Sequence, residues 1–267
     1  MDVLVTDGIM KKSLSVVRSI APITSRTGVV SSYRTSMAGI SRHADSRHHV
    51  DQSDPEAYID RLNAVIDRDG YEYLLPVGGW TTGILSEHRS ELSDAVDVVL
   101  PNRESMRTAQ RKWATYRLAE HLGVPVPKTM RATPDTDLGF AAELGFPVVV
   151  KAPKEAAPRF VEYADSMDDL RSILLTYRNQ YDDDPLVQEY LEGDGCGFFA
   201  LYLDGDCGGG YSHRRVREYP PSGGISACAI SKTDEQLTEM GTSILDELEW
   251  NGPAMVEFKR DSDGVPN

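Results

Sequence analysis

Residues 186–231 read LVQEYLEGDGCGFFALYLDGDCGGGYSHRRVREYPPSGGISACAIS. The stretch opens as an apolar strand and runs into an acidic, glycine-spaced turn, Glu192-Gly193-Asp194-Gly195. Two strand-like segments follow, then an arginine-rich strand, a double proline and a double glycine. A segment that only filled a core needs neither so many charges nor so many backbone-permissive residues. One that folds over a polyphosphate needs both.

Each piece of the stretch has a chemical reading. A strand leaving its sheet at Gln188-Glu189-Tyr190-Leu191 presents backbone N–H and C=O groups, which suit the edge of an adenine ring. A carboxylate just beyond can accept from ribose hydroxyls. Taken as a regular strand, His213 to Tyr219 put His213, Arg215 and Arg217 on one face. Basic groups aimed one way suit a γ-phosphate and a bound carboxylate, because guanidinium meets both in a bidentate fork. Salt bridging with an acidic surface competes with this, and Arg214, on the opposite face, fits it. Gly223-Gly224 either lets backbone amides approach a developing negative charge or simply turns the chain after Pro220-Pro221.

Working outward toward the C-terminus, Ala254 to Lys259 alternates as a strand with Glu257 at its middle. A buried carboxylate there needs a cation. Asp261-Ser262-Asp263-Gly264 reads as a hairpin turn. A symmetric register then sets the partner of Glu257 just past Asn267.

Toward the N-terminus, Phe146 to Val150 is a buried-strand signature that ends in Lys151. A cation there is costly unless it meets a phosphate or a carboxylate. Ser166 to Tyr177 is a helix capped by Ser166, with Asp168 and Asp169 in its first turn. Leu138 to Leu144 is another. Glu104 to Leu122 has helical apolar periodicity, carries Arg111, Lys112 and Trp113, and stops at Gly123 before Pro125 and Pro127. A boundary precedes it at Pro101-Asn102.

Residues before that boundary alternate strand and helix as a parallel α/β sheet does. Val3 to Thr6, Thr27 to Ser31, Tyr73 to Pro76 and Val96 to Leu100 read as strands. Ser13 to Ile20, a segment opening at Pro55, and Ile84 to Leu92 read as helices. Val77-Gly78-Gly79-Trp80-Thr81-Thr82 is either an ordinary strand-to-helix turn or a loop that touches a ligand. Ser41 to Asp54, with His43, His48 and His49, reads as a solvated loop rather than a metal cluster. No G-x-G-x-x-G spacing supports a dinucleotide site.

The totals bound the classes. The chain has 267 residues, 40% hydrophobic and 26% charged, enough for two ordinary domains. Acids outnumber bases 42 to 28, a formal net charge of -14. No basic stripe exists to displace counterions, so nucleic acid is not an expected partner. The excess is either that of any acidic enzyme or an adaptation to a salt-rich cytoplasm, where repulsion is screened. Cys196, Cys207 and Cys228 lack metal-ligand spacing and read as reduced thiols. Nothing approaches the roughly 18 apolar residues of a membrane span, and MDVLVTDG is too short for a signal peptide. The expectation is a cytoplasmic protein without a membrane partner.

In chain order, these motifs resemble the ATP-grasp superfamily, nearest its carbamoyl-phosphate-synthase-like and carboxylate–amine ligase branch. They are the basic helix residue before GVPVPKT, the FPVVVK strand, the QEYLEG hinge, HRRVREYPPSGGIS and the acidic strand AMVEFKRD. The resemblance implies a pre-grasp α/β domain over 1–102 and an ATP-grasp domain over 103–267. The latter would have lobe A at about 103–187 and lobe B at about 188–267, with the last strand and helix missing. It also implies the ligand assignments. Lys112 and Lys151 would hold the α- and β-phosphates, and backbone groups of Glu189 and Leu191, within Gln188 to Leu191, would hold adenine. Asp194 would hold the ribose, with Glu192 as rival because relatives place that acid one residue later, where this chain has Gly195. His213 would bind the nucleotide, Arg215 and Arg217 would serve the transferring phosphoryl group, and Glu257 would take Mg²⁺ or Mn²⁺. The implied reaction joins a carboxylate, bicarbonate among the candidates, to an amine through an acyl phosphate. An ATP-binding module without catalysis and a small-molecule kinase on the same scaffold are the rivals. The identities of acid and amine and the oligomeric state are not encoded in these motifs.

Overall fold

The computed structural model describes residues 1–154, 160–219 and 224–267, with Ile225 described by its backbone alone. The chain divides into two compact units, Met1–Met106 and Arg107–Asn267.

The first unit is a five-stranded parallel sheet in the order β3-β2-β1-β4-β5. Its strands are β1 (Asp2–Val5), β2 (Arg26–Ser31), β3 (Ser46–His49), β4 (Tyr73–Leu75) and β5 (Asp97–Val98). Helices α1 (Lys11–Ile20), α2 (Pro55–Asp69) and α3 (Gly79–Glu87) occupy three of the connections. Alternate residues of β1 enter different cores: Leu4 packs with Ile59, Leu62 and Leu85, whereas Val3 and Val5 pack with Val17. A sheet covered on both faces requires that apolar run. Asp54 caps α2 by accepting from the Ala57 amide, and Gly70, at φ 66°, ends it in the left-handed conformation.

The solvated loop expected over Ser41 to Asp54 is corrected here, because it contains β3. An edge strand needs only backbone pairing to its neighbour, which polar residues supply as well as apolar ones. His48 is anchored by the Tyr71 hydroxyl at 2.8 Å. The helix expected from Ile84 also starts earlier, at Gly79, so the paired glycines fall at its N-terminus.

The second unit holds two four-stranded antiparallel arrays, ordered β6-β9-β7-β8 and β12-β11-β10-β13. The first comprises β6 (Thr129–Arg131), β7 (Val148–Lys151), β8 (Val161–Ala164) and β9 (Leu186–Glu189). Val148, Val150, Ala164 and Val187 turn toward α6 (Gly139–Leu144) and α7 (Met167–Arg178), meeting Ala141, Leu170 and Leu174. The second comprises β10 (Gly195–Leu203), β11 (Asp206–Tyr219), β12 (Ile225–Lys232) and β13 (Gly252–Lys259). Cys196 and Phe258 on one of its faces pack with Leu237 and Ile244 of α8 (Glu235–Glu247). Asp204 and Gly205, both at positive φ, turn β10 into β11. Past β13, Lys259 and Asn267 exchange both backbone hydrogen bonds across the Asp261–Gly264 turn.

The single long helix expected over Glu104 to Leu122 is two helices, α4 (Arg103–Ala109) and α5 (Lys112–His121). Arg111 between them is extended (φ -115°, ψ 101°) and bridges to Lys154, while the Lys112 amide donates to the Pro153 carbonyl at 2.9 Å. The helix breaks because its backbone pairs with the segment leaving β7. Apolar periodicity is blind to that choice. The two strand-like segments expected before the arginine-rich strand are also redistributed, since the second is continuous with it in β11.

Candidate active site

Strand parity defines the first wall. With Val148 and Val150 turned to the helices, Val149 and Lys151 face the other way. Their register partners Tyr163, Gln188 and Leu186 share that face. The Lys151 ammonium donates to Gln188 Oε1 at 2.5 Å, and Gln188 Nε2 donates to Thr129 Oγ1 at 2.7 Å. Gln188, only 2% exposed, is therefore held with its carbonyl oxygen toward the lysine. Lys112, at the first turn of α5, reaches the Lys154 carbonyl at 3.2 Å. The break in the expected helix thus brings Lys112 against the segment that leaves β7 just after Lys151.

The hinge follows. The Glu189 amide donates to the Lys128 carbonyl at 2.9 Å, and its carboxylate accepts from the Lys128 amide at 2.7 Å. That amide is engaged within the chain, and the half-buried Leu191 follows two residues later. A Cβ on Gly193 would lie 2.0 Å from the Arg260 carbonyl oxygen, so the turn can pass there only as glycine. Asp194 pairs with Arg214 at 2.9 Å. Glu192 instead belongs to the electrostatic surroundings of Lys259, whose ammonium lies 4.8 Å from the Tyr190 ring centre. The two rival acids therefore differ: Asp194 is paired with Arg214, whereas Glu192 acts electrostatically on Lys259.

The second wall is the face of β10, β11 and β13 opposite α8, and it is built in rows. Tyr211, Phe199 and Met255 are register partners, as are His213, Gly197 and Glu257, and Gly195 pairs with Lys259. Arg215 lies against Gly195, where a Cβ would sit 2.7 Å from its Cδ. Gly195 leaves β10 bare at that point, and Arg215 ion-pairs across it with Glu257 while also reaching Glu218 at 3.2 Å. Both Nε of Arg215 and Nδ1 of His213 are buried with no hydrogen-bond partner among the described residues. These groups line a cavity of about 520 Å³ with Tyr211, Phe199 and Met255.

Two expectations change here. His213, Arg215 and Arg217 do not share one face. The register shifts at Val216, so Arg215 pairs with Ala229 and Arg217 with the adjacent Cys228, whose side chains project oppositely. Arg217 is exposed. Glu257 is not a buried carboxylate awaiting a cation, being 41% exposed at its side chain and already paired with Arg215. Of the glycine pair, Gly223 lies outside the described residues, as do Pro220 and Pro221. The Gly224 amide donates to Glu218 at 3.3 Å.

The two walls meet at Tyr190. Tyr163, on the Lys151 face, stands edge-on to Tyr190 with ring centres 5.8 Å apart, and Lys259, on the Glu257 face, covers the same ring. Burial holds the Lys259 ammonium below its usual range, with Glu218 and Glu192 opposing that shift. Lys259 was legible in the sequence by its parity with Glu257. Tyr163 was not, because its partner is remote in the chain.

No family model matches the chain. Among curated proteins it is similar to the carbamoyl phosphate synthase large chain of Deinococcus radiodurans, at 29% identity over 157 residues, 57% of this chain and 14% of that protein. It is also similar to the alpha-aminoadipate–LysW ligase LysX of Saccharolobus solfataricus, at 27% identity over 147 residues and 53% of each. The similarity therefore spans at most about half the length of these relatives. Among solved structures, the biotin carboxylase of Campylobacter jejuni in its β,γ-ATP complex superposes with a TM-score of 0.75 at 15% identity, covering 99% of this chain and 63% of that one. Among the described residues no helix is long and apolar enough to cross a membrane.

Proposed function

The chain has the ATP-grasp fold, and from that premise we propose that it is an ATP-dependent carboxylate–amine ligase. A carboxylate oxygen attacks the γ-phosphorus of ATP and ADP leaves. The amine nitrogen then attacks the acyl carbon, and inorganic phosphate departs with the amine proton lost to solvent. The work of the side chains is positioning and charge neutralisation.

The observation that carries this reading is the meeting of the Lys151 face and the Arg215–Glu257 face at Tyr190. Ammonium groups of Lys112 and Lys151 hold the α- and β-phosphates, with Gln188 aiming Lys151. The adenine edge takes the carbonyl of Glu189 and the amide of Leu191 beside Tyr190. Glu192, rather than Asp194, takes the ribose, because Arg214 occupies Asp194. Arg215 and His213 receive the transferring phosphoryl group and the acid, and Arg217 stands outside them across the bulge. A divalent cation, Mg²⁺ or Mn²⁺, carried by the nucleotide phosphates would be held by Glu257, whose exposed carboxylate would then exchange Arg215 for the metal. When bound it neutralises phosphate charge.

ADP formation from ATP and Mg²⁺, measured over a panel of carboxylates with hydroxylamine as the amine, tests the reading. Acid-dependent ADP release with hydroxamate formation is expected. ADP release that needs no amine and yields a stable phosphorylated product would make the chain a kinase. ATP binding without ADP release for any acid would make it a binding module.

A further inference from the structure

We propose that the acid taken by this site carries an aromatic or large aliphatic group, which lies on the Tyr211–Phe199–Met255 row while its carboxylate meets Arg215. The inference rests on the reading of Arg215 as the carboxylate's partner. It goes further by naming which carboxylates fit.

The argument starts from the rows of the second wall. Successive same-face rows of a sheet are about 7 Å apart along the strand. The row through His213, Gly197 and Glu257 receives the Arg215 guanidinium. The next row along the strands is Tyr211, Phe199 and Met255, which carries no charge. A ligand anchored by its carboxylate in the first row therefore lays its next few atoms on the second.

That second row is built as a platform. The Phe199 and Tyr211 rings are stacked at 4.9 Å with planes 17° apart, and the His213 ring lies 5.1 Å from Phe199. Yet Tyr211 is 55% exposed and Met255 43% exposed. Apolar side chains left open beside a charged group are what a ligand with one polar end covers. A volume of about 520 Å³ falls within the usual span of small-molecule sites, as does a mostly apolar wall with a few convergent polar atoms. His213 is 6% exposed, and its buried Nδ1 lacks a partner among the described residues at the junction of the two rows. A short acid such as acetate would leave the rings uncovered. An acid with a second carboxylate would place that charge against three apolar side chains without a cation.

Calorimetric titration of the ADP-bound protein with propionate and with 3-phenylpropionate tests this. The two acids differ only in the phenyl group. The expected result is binding of 3-phenylpropionate about tenfold to a hundredfold tighter than propionate, from burial of the ring. Tyr211→Ala and Phe199→Ala should each remove most of that preference, and Tyr211→Phe should retain it. Equal affinity for the two acids overturns the proposal, as does a preference that survives both alanine variants. A change of oligomeric state in Tyr211→Ala without any acid preference also overturns it, because the row would then be covered by a second copy. Loss of the preference with acid-dependent ADP release intact would leave the ligase reading standing. A preference without ADP release would leave the pocket standing and remove the ligase.

Discussion

Arg215 and Glu257 are ion-paired across an intervening strand. Residues on β11 and β13 have β10 between them, and a Cβ at Gly195 would press on the Arg215 side chain that makes the crossing. Arg214 and Asp194 form a separate pair beside it, so neighbouring arginines serve different acids.

Gly197 and Gly195 should respond differently to alanine. A Cβ on Gly197 would lie 2.8 Å from the Val256 carbonyl oxygen, backbone that cannot move without disturbing β13. Gly197→Ala is expected to destabilise the fold by about 1–3 kcal/mol in urea unfolding. A Cβ on Gly195 meets the ends of Arg215 and Glu218, which can shift. Gly195→Ala should unfold close to the parent midpoint yet lose ADP formation roughly tenfold or more, because Arg215 is displaced.

The bulge at Val216 makes the arginines unequal. Arg215→Ala should lower ADP formation about 10²- to 10³-fold, the usual loss of a group that stabilises developing charge. Arg217→Ala should stay within about twofold, as exposed substitutions mostly do. Equal losses in steady-state assays would show that Arg217 does reach the phosphoryl group.

Lys151 tests the nucleotide side. Lys151→Met should weaken ATP binding about tenfold to a hundredfold in equilibrium titration, the range for a lost charge-assisted hydrogen bond. Gln188→Leu should produce a smaller loss, since it acts only by aiming the ammonium.

His48 gives a pH prediction for the N-terminal unit. Burial lowers the His48 imidazole below its ordinary value, against the pull of Asp69. A base whose folded pKa is depressed favours the neutral ring in the native state. Its contribution is complete above about pH 6.5, the ordinary histidine value, and is lost as pH falls through the lower folded value. Thermal midpoints should therefore drop from pH 7.5 to 5.5, and His48→Gln should flatten that drop.

Local chemistry made much of the fold legible. The cap at Ser166, the helix opening at Pro55 and the apolar strands around Val3 and Val148 were readable because each depends on residues within a few positions. The arginine strand, the FPVVVK lysine and Glu257 were readable as site candidates for the same reason: a charge in an apolar or alternating run needs a partner. The resemblance paired Lys112 with Lys151, but the contact of Lys112 with Lys154 was not readable, because it depends on Arg111 pairing with Lys154, which helical periodicity does not record.

Sequence alone determined the order of the motifs, most of the apolar strands and helices and the chemical kinds of the site groups, because propensity and patterning act over short stretches of chain. Tertiary structure decided which of those groups stand together. A one-residue bulge moved Arg217 off the face of Arg215, the bare Gly195 made room for Arg215 to cross to Glu257, and Tyr190 joined faces drawn from distant strands. Register and cross-strand contact are properties of paired backbones, and no single stretch of sequence contains them.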